Sequence, residues 1–424
     1  MRSRVCIVSE NAYPVLDASD AGSFGGAETR AVTFARGLRD AGCDVVLAVD
    51  TDAHFRQKSV EGISIVNMRS LISRVRTSFY RRVGKLEQFP WIRIRQWHPL
   101  LLAQFPIMAL AFLAKVAWPI STIHALLRIK AQAYIAFGVD KTSGRVVCTA
   151  KRANAQSIVS IASNADLDSR YFKGSRYLTP YAQSGAVCHY TIANADMLLL
   201  QTEAQKQLLA DRFERQGVVV ENPFDMQWWA QRLTELSPPT LPAPGFVLWV
   251  GRAHRLSKRP HLALEIAHAC PEQRFVLIVD KRDPTVEQAL AEGAPSNVEL
   301  RGRTSFSEMP HYFRNAMLFL NTGSRDHEGF PNVFLQAAAS EVPIVALEVG
   351  AEFLARAGCG ICAEGSAQRA VAAIRALADD AAKRREYGLK GKQYVLEHHR
   401  VDDKARQVIA LFANTSPKHG YNAA

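Results

Sequence analysis

The sequence predicts an α/β protein with two doubly wound domains that face each other across a cleft. Three observations support this prediction. The chain has 424 residues, more than one hydrophobic core of ordinary size accommodates. Short apolar runs typical of buried strands alternate with helical patterns in both halves. A stretch with four prolines, SPPTLPAPG, lies between the halves, and neither a helix nor a central strand tolerates it.

The first half opens with a strand, a glycine-rich loop, a helix and a second strand, the order typical of a parallel α/β domain. The first strand covers Val5 to Val8. A helical pattern runs from Ala27 to Ala41 and stops at Gly42, and the apolar run DVVLAV follows directly. Two later runs, QSIVSIAS and ADMLLLQT, predict further buried strands.

The second half repeats this pattern. The runs FVLWVGR, RFVLIVD, SNVELRG, MLFLNT and PIVAL predict strands, whereas HLALEIAHAC, MPHYFRNA and PNVFLQAAA predict helices. Ligands of doubly wound domains bind beyond the carboxyl ends of the strands. We therefore expect the functional residues in the loops that follow strands, where the two domains meet.

Composition narrows the classes of partner. The formal net charge of +12 and the isoelectric point near 9.5 indicate an anionic partner, such as a nucleic acid, an acidic lipid surface or a phosphorylated substrate. No nucleic-acid-binding module is recognisable, and we expect no nucleic-acid partner. The seven cysteines are scattered and lie mostly in apolar runs, which favours a reducing compartment over a disulfide framework. The first residues, MRSRVCIVSE, lead straight into a strand without a secretory signal.

The stretch from Ser70 to Arg128, called segment 70–128 below, departs from the α/β pattern. Its first part is basic, and its second part, HPLLLAQFPIMALAFLAKVAWPIS, is apolar but interrupted by polar residues and prolines. The interruptions count against a membrane-spanning helix, which needs about 20 apolar residues. Two interpretations stay open: a helix lying in the headgroup region of an anionic membrane, or domain core with a solvated basic face. The basic residues are Arg74, Arg76, Arg81, Arg82, Lys85, Arg93 and Arg95.

The stretch HEGFPNVFLQAAA, residues 327–339, is the strongest candidate for a ligand site. It joins the predicted strand MLFLNT to a helix, with Gly329 in the loop and Pro331 at the expected first helical position. The unpaired amides of a helix N-terminus form a site for anions, and for phosphate in particular. Asn332 and Gln336 are four residues apart and share one face of this helix. A structural turn in some other nucleotide-binding fold is the alternative.

Cations and glycines suited to a diphosphate follow other strands. Arg252 and Lys258 lie in VGRAHRLSKRP, after the first strand of the second half, where Arg supplies a bidentate fork and Lys a point charge. Gly25 and Gly26 allow backbone amides to approach a ligand closely at the start of the first long helix.

A carboxylate pair raises the question of a metal. Asp166 and Asp168 have the spacing of a pair that holds a metal-bound diphosphate in some sugar-transferring enzymes, but this spacing is common by chance. We predict no metal, because Arg252 and Lys258 can already neutralise a diphosphate.

Taken in order, four motifs resemble glycosyltransferase family 4: GGAE at 25–28, GR at 251–252, KRP at 258–260 and EGFPNVFLQA at 328–337. Enzymes of this family retain the configuration of the transferred sugar and have the GT-B fold, two Rossmann-like domains across a cleft. The runs ADMLLLQT, VVVENPFD and EYGLKGKQYVLEHH also resemble family segments, so the resemblance covers most of the chain.

The resemblance implies domain boundaries. An acceptor-side domain is expected over 1–224, a linker over 225–244 and a nucleotide-sugar-binding domain over 245–397. The remaining residues, 398–424, are expected to form a helix at about 398–413 that crosses back to the first domain, followed by a tail.

The resemblance also implies roles for single residues. Glu328, Lys258 and Arg252 are the expected catalytic residues, with Glu328 at the donor sugar and the two cations on the phosphates. Retention in the family is thought to use one face of the sugar. The leaving phosphate takes the proton of the acceptor hydroxyl, so that positioning and charge stabilisation replace a protein nucleophile. The expected substrate-binding residues are Gly25, Gly26, Ser163, Asn164, Asp166, Arg303, Gly329, Phe330, Pro331, Asn332 and Gln336.

Three departures from the family pattern bear on this site. Ser163 and Asn164 stand where the family often has a His-Asp pair. The spacing from Arg252 to Lys258 is one residue longer than usual. Gln336 replaces a second Glu at the expected ribose position, where Gln can still accept one hydroxyl proton and donate one. The expected loss is about 1 kcal/mol of donor binding.

The expected function is metal-independent hexosyl transfer from a nucleoside-diphosphate sugar, as co-substrate, to a glycan or lipid-linked glycan in bacterial surface polysaccharide biosynthesis. No other cofactor is implied. The expected location is cytoplasmic, peripheral on the inner face of the plasma membrane, with its anionic surface as a partner. Two alternatives stay open: a catalytically inactive homologue that binds sugar nucleotides or scaffolds an assembly complex, and another reaction on the same fold, such as sugar-nucleotide epimerisation.

Overall fold

Two sheets of parallel strands form the framework of the protein, and they confirm the predicted fold class. The computed structural model describes residues 2–17, 24–51, 58–69, 71–85, 92–113, 120–235, 241–280 and 284–413. The described strands of the first half are β1 (Arg4–Val8), β2 (Asp44–Val49), β3 (Ser59–Val60), β4 (Ile63–Asn67), β5 (Val83–Lys85), β6 (Ile92–Ile94), β7 (Ala133–Phe137), β8 (Gln156–Ser160), β9 (Met197–Leu200) and β10 (Val218–Val219). Those of the second half are β11 (Phe246–Arg252), β12 (Phe275–Asp280), β13 (Val298–Arg301), β14 (Ala316–Asn321), β15 (Ile344–Ala346) and β16 (Gly360–Cys362).

The strand order places a ligand crevice in each sheet. The first sheet has the order β10-β9-β8-β7-β1-β2-β4-β3 and the second the order β13-β12-β11-β14-β15-β16. Their neighbouring strands are parallel except for β3 and β4, and β5 and β6 form a separate antiparallel hairpin. The order reverses beside β1 in the first sheet and beside β11 in the second. Such reversals are the points where ligands bind to doubly wound sheets.

Both faces of the sheets are buried, which explains the unbroken apolar runs of the strands. Along β1, Val5 and Ile7 pack in one hydrophobic core, whereas Cys6 and Val8 pack in another. Successive side chains of a strand point to opposite faces, so a strand covered on both sides is apolar at every position.

Helices join the strands. Those of the first half are α1 (Tyr13–Leu16), α2 (Gly26–Asp40), α3 (Leu71–Arg82), α4 (Leu100–Leu113), α5 (Ile120–Leu127), α6 (Lys141–Ala153), α7 (Gly185–Asn194), α8 (Glu203–Phe213) and α9 (Met226–Glu235). Those of the second half are α10 (Pro260–His268), α11 (Pro284–Gly293), α12 (Met309–Asn315), α13 (Asn332–Ala339), α14 (Ala351–Ala357), α15 (Ala367–Asp379), α16 (Ala381–His398) and α17 (Val401–Ala413).

The last helix, α17, packs against α2 of the first half. A Cβ on Gly37 of α2 would lie 2.7 Å from Val401 Cγ2 and 3.0 Å from Ala405 Cβ. At the turn between α16 and α17, the carbonyl of His399 accepts a hydrogen bond from the Phe224 amide at 2.7 Å. The chain therefore crosses between its halves twice near one point. The predicted tail beyond Ala413 lies outside the described residues.

The predicted linker over 225–244 contains a helix, α9. Its Trp229 contacts the rings of Phe306 and Phe313 and donates a hydrogen bond to Ser340 Oγ at 3.0 Å. Helix α9 is thus attached to the second half by packing. The first two prolines of SPPTLPAPG lie outside the described residues.

Segment 70–128 divides into a core part and a surface part. Helix α5 packs against α6, with Leu126 fully buried. Helix α4 continues through Pro106 and packs on α3 around Phe79 and Leu101. Its outer face remains apolar, since Leu102 and Leu110 are both 70% exposed. Helix α5 therefore agrees with the domain-core interpretation, while the membrane interpretation of the surface part stays a prediction.

The basic residues of segment 70–128 lie close in sequence to this apolar face. Arg74, Arg76, Arg93 and Arg95 are exposed, while the side chains of Arg81 and Lys85 lie outside the described residues. Across the described ranges, no helix combines the length and the apolar character needed to cross a membrane.

Candidate active site

A cavity of about 750 Å³ lies between the two halves of the chain, beyond the carboxyl ends of β1 and β11. We call this cavity the cleft. The predicted site residues that line it are Gly25, Gly26, Ser163, Arg252, Lys258, Arg303, Glu328, Phe330, Pro331, Asn332 and Gln336. Asn164 and Gly329 line a neighbouring cavity of about 670 Å³, and Asp166 lies behind the wall of the cleft.

Arg252, the last residue of β11, reaches across the cleft to the start of α2. Its Nη2 atom lies 3.6 Å from Glu28 Oε2. The guanidinium rests on Gly25, where a Cβ would come within 2.2 Å of Nη2. Glycine is therefore required at position 25 for this close approach, a reason beyond the one that the sequence pattern suggested.

Lys258 and Glu328 form an ion pair within the cleft, with 2.7 Å between Nζ and Oε1. Lys258 lies just before α10, and Glu328 lies in the loop between β14 and α13, which we call the 322–331 loop. The two predicted catalytic residues thus meet although they follow different strands. Their side chains are mostly buried, so the pair is screened less by salt than a surface pair.

The 322–331 loop contacts the first half of the chain through its backbone. The Phe330 amide donates a hydrogen bond to Gln201 Oε1 at 2.7 Å. Gly329 lies so close to the first turn of α8 that a Cβ on it would be 2.7 Å from Gln205 Nε2. Asn164 Nδ2 donates to the carbonyl of Arg325 at 3.0 Å. The predicted phosphate-binding amide of Phe330 therefore already has a protein acceptor.

Helix α13 begins one residue later than predicted. Pro331 precedes the helix with φ −71° and ψ 111°, and Asn332 is its first residue. The fixed φ of proline suits either position, and here the extended ψ leads the loop into the helix. Asn332 Nδ2 donates to the Gly26 carbonyl at 2.6 Å, which joins the two halves. Gln336, on the same helix face, lines the cleft and is 6% exposed.

Asp166 stabilises the loop after β8 by accepting hydrogen bonds from its backbone. One of its carboxylate oxygens accepts hydrogen bonds from the amides of Ala162 at 2.7 Å and Ser163 at 3.2 Å. Burial raises the pKa of this carboxyl to about 6, although the amide bonds oppose the shift. Ser163 is thereby held at the edge of the cleft.

Arg303 follows β13 and lies at the far wall of the cleft. Its guanidinium is 5.1 Å from the centre of the Phe24 ring, a cation–π distance. Phe24 in turn meets Phe306 edge-on at 6.2 Å. Phe24 and Arg303, one from each half, therefore line the same end of the cleft.

A search of the described residues for metal sites finds no group of three or more His, Cys, Asp or Glu side chains arranged to hold an ion. The prediction that no metal takes part stays a prediction.

Comparison with known proteins links the second-half side of this cleft to a family. Residues 244–380, which include Arg252, Lys258 and the 322–331 loop, match the family described as glycosyl transferases group 1. This match covers about a third of the chain and confirms the resemblance over these residues. Members of this family transfer a hexosyl group from a nucleotide sugar with retention. The two parallel Rossmann-like sheets of this protein match those of GT-B glycosyltransferase structures. No curated protein sequence matches the chain.

Solved structures with the same fold cover nearly the whole chain. Sucrose-phosphate synthase from Thermosynechococcus elongatus has a TM-score of 0.65 at 17% identity, over 97% of this chain and 98% of that chain. A TarM variant from S. aureus, in complex with fondaparinux, alpha-GlcNAc-glycerol and UDP, has a TM-score of 0.62 at 11% identity, over 97% and 100%. WaaG, a glycosyltransferase involved in lipopolysaccharide biosynthesis, has a TM-score of 0.58 at 12% identity, over 97% and 100%.

One residue that holds the 322–331 loop in place was not predicted from the sequence. Arg259 donates hydrogen bonds to the carbonyls of Thr322 and Gly323, each at 2.7 Å, and to Glu348 at 2.6 Å. Its backbone lies in the left-handed region with φ 49°, which is uncommon for an arginine. The KRP motif contains this residue, but the sequence predicted a role only for its neighbour Lys258, because the partners of Arg259 lie far along the chain.

Two further residues at the cleft were missed, one directly after a buried strand and one on a helix. Gln201 follows β9 and ties the Phe330 amide to the carbonyls of Ile161 and Ala162. Arg30, on α2, is buried at the cleft and donates to the carbonyls of Ile161 at 3.1 Å and Val220 at 3.5 Å. Burial lowers the pKa of this guanidinium to about 9. A polar residue that closes an apolar run, as in LLLQ, is the signal that could have found Gln201.

Proposed function

We propose that this transferase moves a sugar from a nucleoside-diphosphate donor to a glycan or lipid-linked glycan in bacterial surface polysaccharide biosynthesis. One observation carries the proposal. Arg252 and Lys258 converge with Glu328 and the start of α13 in the cleft, opposite Gly25 and Gly26. Two cations, a helix N-terminus and a glycine pair suit a diphosphate on one side and an acceptor on the other.

In this proposal the donor diphosphate lies between Arg252, Lys258 and the N-terminus of α13. The cations offset the charge that develops on the leaving diphosphate as the sugar bond lengthens. A phosphate oxygen takes the proton of the acceptor hydroxyl on the same face of the sugar. Glu328, fixed by Lys258 at 2.7 Å, contacts the donor sugar and orients it.

The test is the release of nucleoside diphosphate from a panel of sugar nucleotides in the presence of glycan and lipid-linked acceptors. We expect Lys258→Ala and Glu328→Ala to lower the rate by about 100-fold or more, as the loss of charge stabilisation does in other sites. Lys392→Ala is the matched control, because it breaks a 2.7 Å ion pair with Glu341 outside the cleft. Full activity in Glu328→Ala would refute the donor site. Donor binding without product from any acceptor would instead favour an inactive homologue.

Membrane attachment is a second part of the proposal. Helix α4 presents Leu102 and Leu110 to solvent, and the exposed arginines Arg74 and Arg76 lie on α3, which packs against it. Exposed apolar side chains beside basic ones suit the headgroup region of an anionic bilayer, where a lipid-linked acceptor would be found. The fold is shared with WaaG, a glycosyltransferase involved in lipopolysaccharide biosynthesis, and this likeness supports the same setting.

Vesicle flotation tests the attachment. We expect the protein to float with phosphatidylcholine vesicles that contain phosphatidylglycerol, and less with phosphatidylcholine alone. Leu102→Ser with Leu110→Ser should lower flotation on both, whereas Arg74→Gln with Arg76→Gln should lower it on the anionic vesicles only. Leu389→Ser is the control, because Leu389 is an exposed leucine on α16. Flotation that none of these changes affects would rule the surface out.

A further inference from the structure

Glu28 is the acidic residue of GGAE, and the cleft places it beside a predicted phosphate-binding cation. Its Oε2 atom lies 3.6 Å from Arg252 Nη2, and both side chains are more than half buried. The same oxygen accepts a hydrogen bond from the Gly25 amide at 2.7 Å. One carboxylate oxygen therefore accepts the hydrogen bond at the first turn of α2 and also pairs with the guanidinium of Arg252, which reaches across from the second half.

The position of Arg252 is electrostatically unfavourable without Glu28. The guanidinium lies against Gly25, at the N-terminus of α2. The N-terminus of a helix carries a positive partial charge, which attracts anions and repels cations. Glu28 offsets this repulsion and keeps Arg252 in the space beside the glycine pair. This space adjoins the position of the diphosphate in the proposed function, between Arg252, Lys258 and the N-terminus of α13.

The other donor-site groups also have protein partners in this structure. Lys258 pairs with Glu328 at 2.7 Å, and the Phe330 amide donates to Gln201 at 2.7 Å. Glu328 is itself a proposed catalytic residue, and Gln201 ties backbone carbonyls together. Glu28 differs from both, since its charge toward Arg252 is separable from its helix-capping bond.

We propose that the Glu28 carboxylate pairs with Arg252 before the donor binds, and that it competes with the donor diphosphate for this guanidinium. The inference rests on the proposed function, and the ligand class is a nucleoside diphosphate or its sugar ester. When the donor binds, Arg252 exchanges the carboxylate for phosphate oxygens, while Glu28 keeps its bond to the Gly25 amide. Glu28 therefore weakens donor binding and sets donor affinity.

Glu28→Gln tests this competition, because Gln retains an oxygen that accepts from the Gly25 amide while the charge is removed. The measurement is isothermal titration of UDP, GDP and ADP into the full chain. For the nucleotide that the wild type binds, we expect the variant to bind about threefold to tenfold more tightly. This is the scale of one partly exposed ion pair, together with the loss of the repulsion between the Glu28 carboxylate and the diphosphate. Glu272→Gln is the matched control, because Glu272 pairs with Arg375 on the surface at 2.8 Å.

A double-mutant cycle with Arg252→Gln adds a second readout. The increase in nucleotide affinity caused by Glu28→Gln should be smaller in the Arg252→Gln background, because the guanidinium for which Glu28 competes is then absent. Equal or weaker binding by Glu28→Gln, with a melting temperature close to that of the wild type, would overturn the inference and leave the proposed function standing. A wild type that binds none of the nucleotides or their sugar esters would overturn both.

Discussion

At the scale of single residues, the cleft depends on how burial changes polar groups. Gln336 is buried on α13, and Asp166 is half-buried beside Ser163, where desolvation favours its neutral form. A carboxylate in such a place loses hydration and needs hydrogen bonds or a counter-charge to compensate. A change at Gln336 is therefore expected to alter donor binding, whereas a change at Asp166 is expected to alter how stability depends on pH.

Replacing Gln336 by Glu should preserve or tighten donor binding. A carboxylate accepts a shorter, stronger hydrogen bond from a ribose hydroxyl, a gain of about 1 kcal/mol, or roughly fivefold in Kd. Isothermal titration with the nucleoside diphosphate that the wild type prefers, and with its 2′,3′-dideoxy analogue, checks the reason. The gain should vanish with the dideoxy analogue. Equal gains for both nucleotides would place position 336 away from the ribose.

Replacing Asp166 by Asn should change how stability depends on pH. The folded pKa of about 6 lies above the ordinary carboxyl value of 3.8, so the folded state holds the proton more tightly. This group therefore costs stability as pH rises from about 4 through 6. The asparagine side chain can still accept both amide hydrogen bonds, because Ala162 and Ser163 donate to the same oxygen.

The measurement for Asp166→Asn is urea unfolding at pH 4.5 and pH 7. The stability of the variant relative to wild type should increase by about 2 kcal/mol between these pH values. Asp168→Asn is a useful comparison, since the Arg170 hydrogen bond lowers the pKa of Asp168 and the expected change has the opposite sign. A constant difference for Asp166→Asn would contradict the shifted pKa.

At the scale of elements, close helix contacts decide the arrangement of the two halves. Helix α17 lies on α2 over Gly37, and α2 carries Gly25, Glu28 and Arg30 to the cleft. The contact that returns the chain to the first half thus supports the same helix that supplies the acceptor side. A change at Gly37 is therefore expected to act on both stability and donor binding.

Gly37→Ala should destabilise the protein, although alanine is the better helix former. Its Cβ would lie 2.7 Å from Val401 Cγ2, so α17 must shift. Overpacking of this kind costs about 1–3 kcal/mol, against a propensity gain of about 1 kcal/mol. Urea unfolding and limited proteolysis of α17 measure the effect. Gly293→Ala is the control, because only Leu264 Cδ1 approaches it, at 3.9 Å, and it should lose no stability.

At the scale of the whole molecule, His399 lies where the two halves join. Its Nδ1 donates to the carbonyl of Asn222 at 2.8 Å, and its ring stacks on Phe330 of the 322–331 loop at 5.8 Å. Burial lowers the pKa of His399 to about 4, while Glu221 favours the charged form and Lys404 opposes it. Protonation of this imidazole therefore places an unfavourable charge at the crossing between the halves.

The sign of this effect follows from the two pKa values. Between about pH 4 and the ordinary value of 6.5 the unfolded chain binds the proton and the folded chain does not, so stability is lost as pH falls. The loss between pH 7 and pH 5 should be about 2 kcal/mol. His399→Gln, which can still donate to Asn222, should lose less than the wild type in urea unfolding at the two pH values. An identical loss in the variant would contradict the assignment.

Local patterns made much of the fold and of the site predictable. The buried runs FVLWVGR and RFVLIVD became β11 and β12, and the loop after MLFLNT carried Glu328 to the cleft. Apolar runs, helical periods and turn residues act over a few positions, so the sequence alone reveals them. Helix α9 in the linker and the division of segment 70–128 were not readable, because a helix in either place is decided by what it packs against.

The sequence by itself determined which residues follow strands and could therefore reach the cleft, together with the motifs that resemble the family. Only the tertiary structure decided their partners: Arg252 with Glu28, the Phe330 amide with Gln201, and Arg259 with the carbonyls of the 322–331 loop. These partners come from distant parts of the chain. They meet because two sheets present the carboxyl ends of their strands to one cavity, and no local pattern records which side chain lies opposite another.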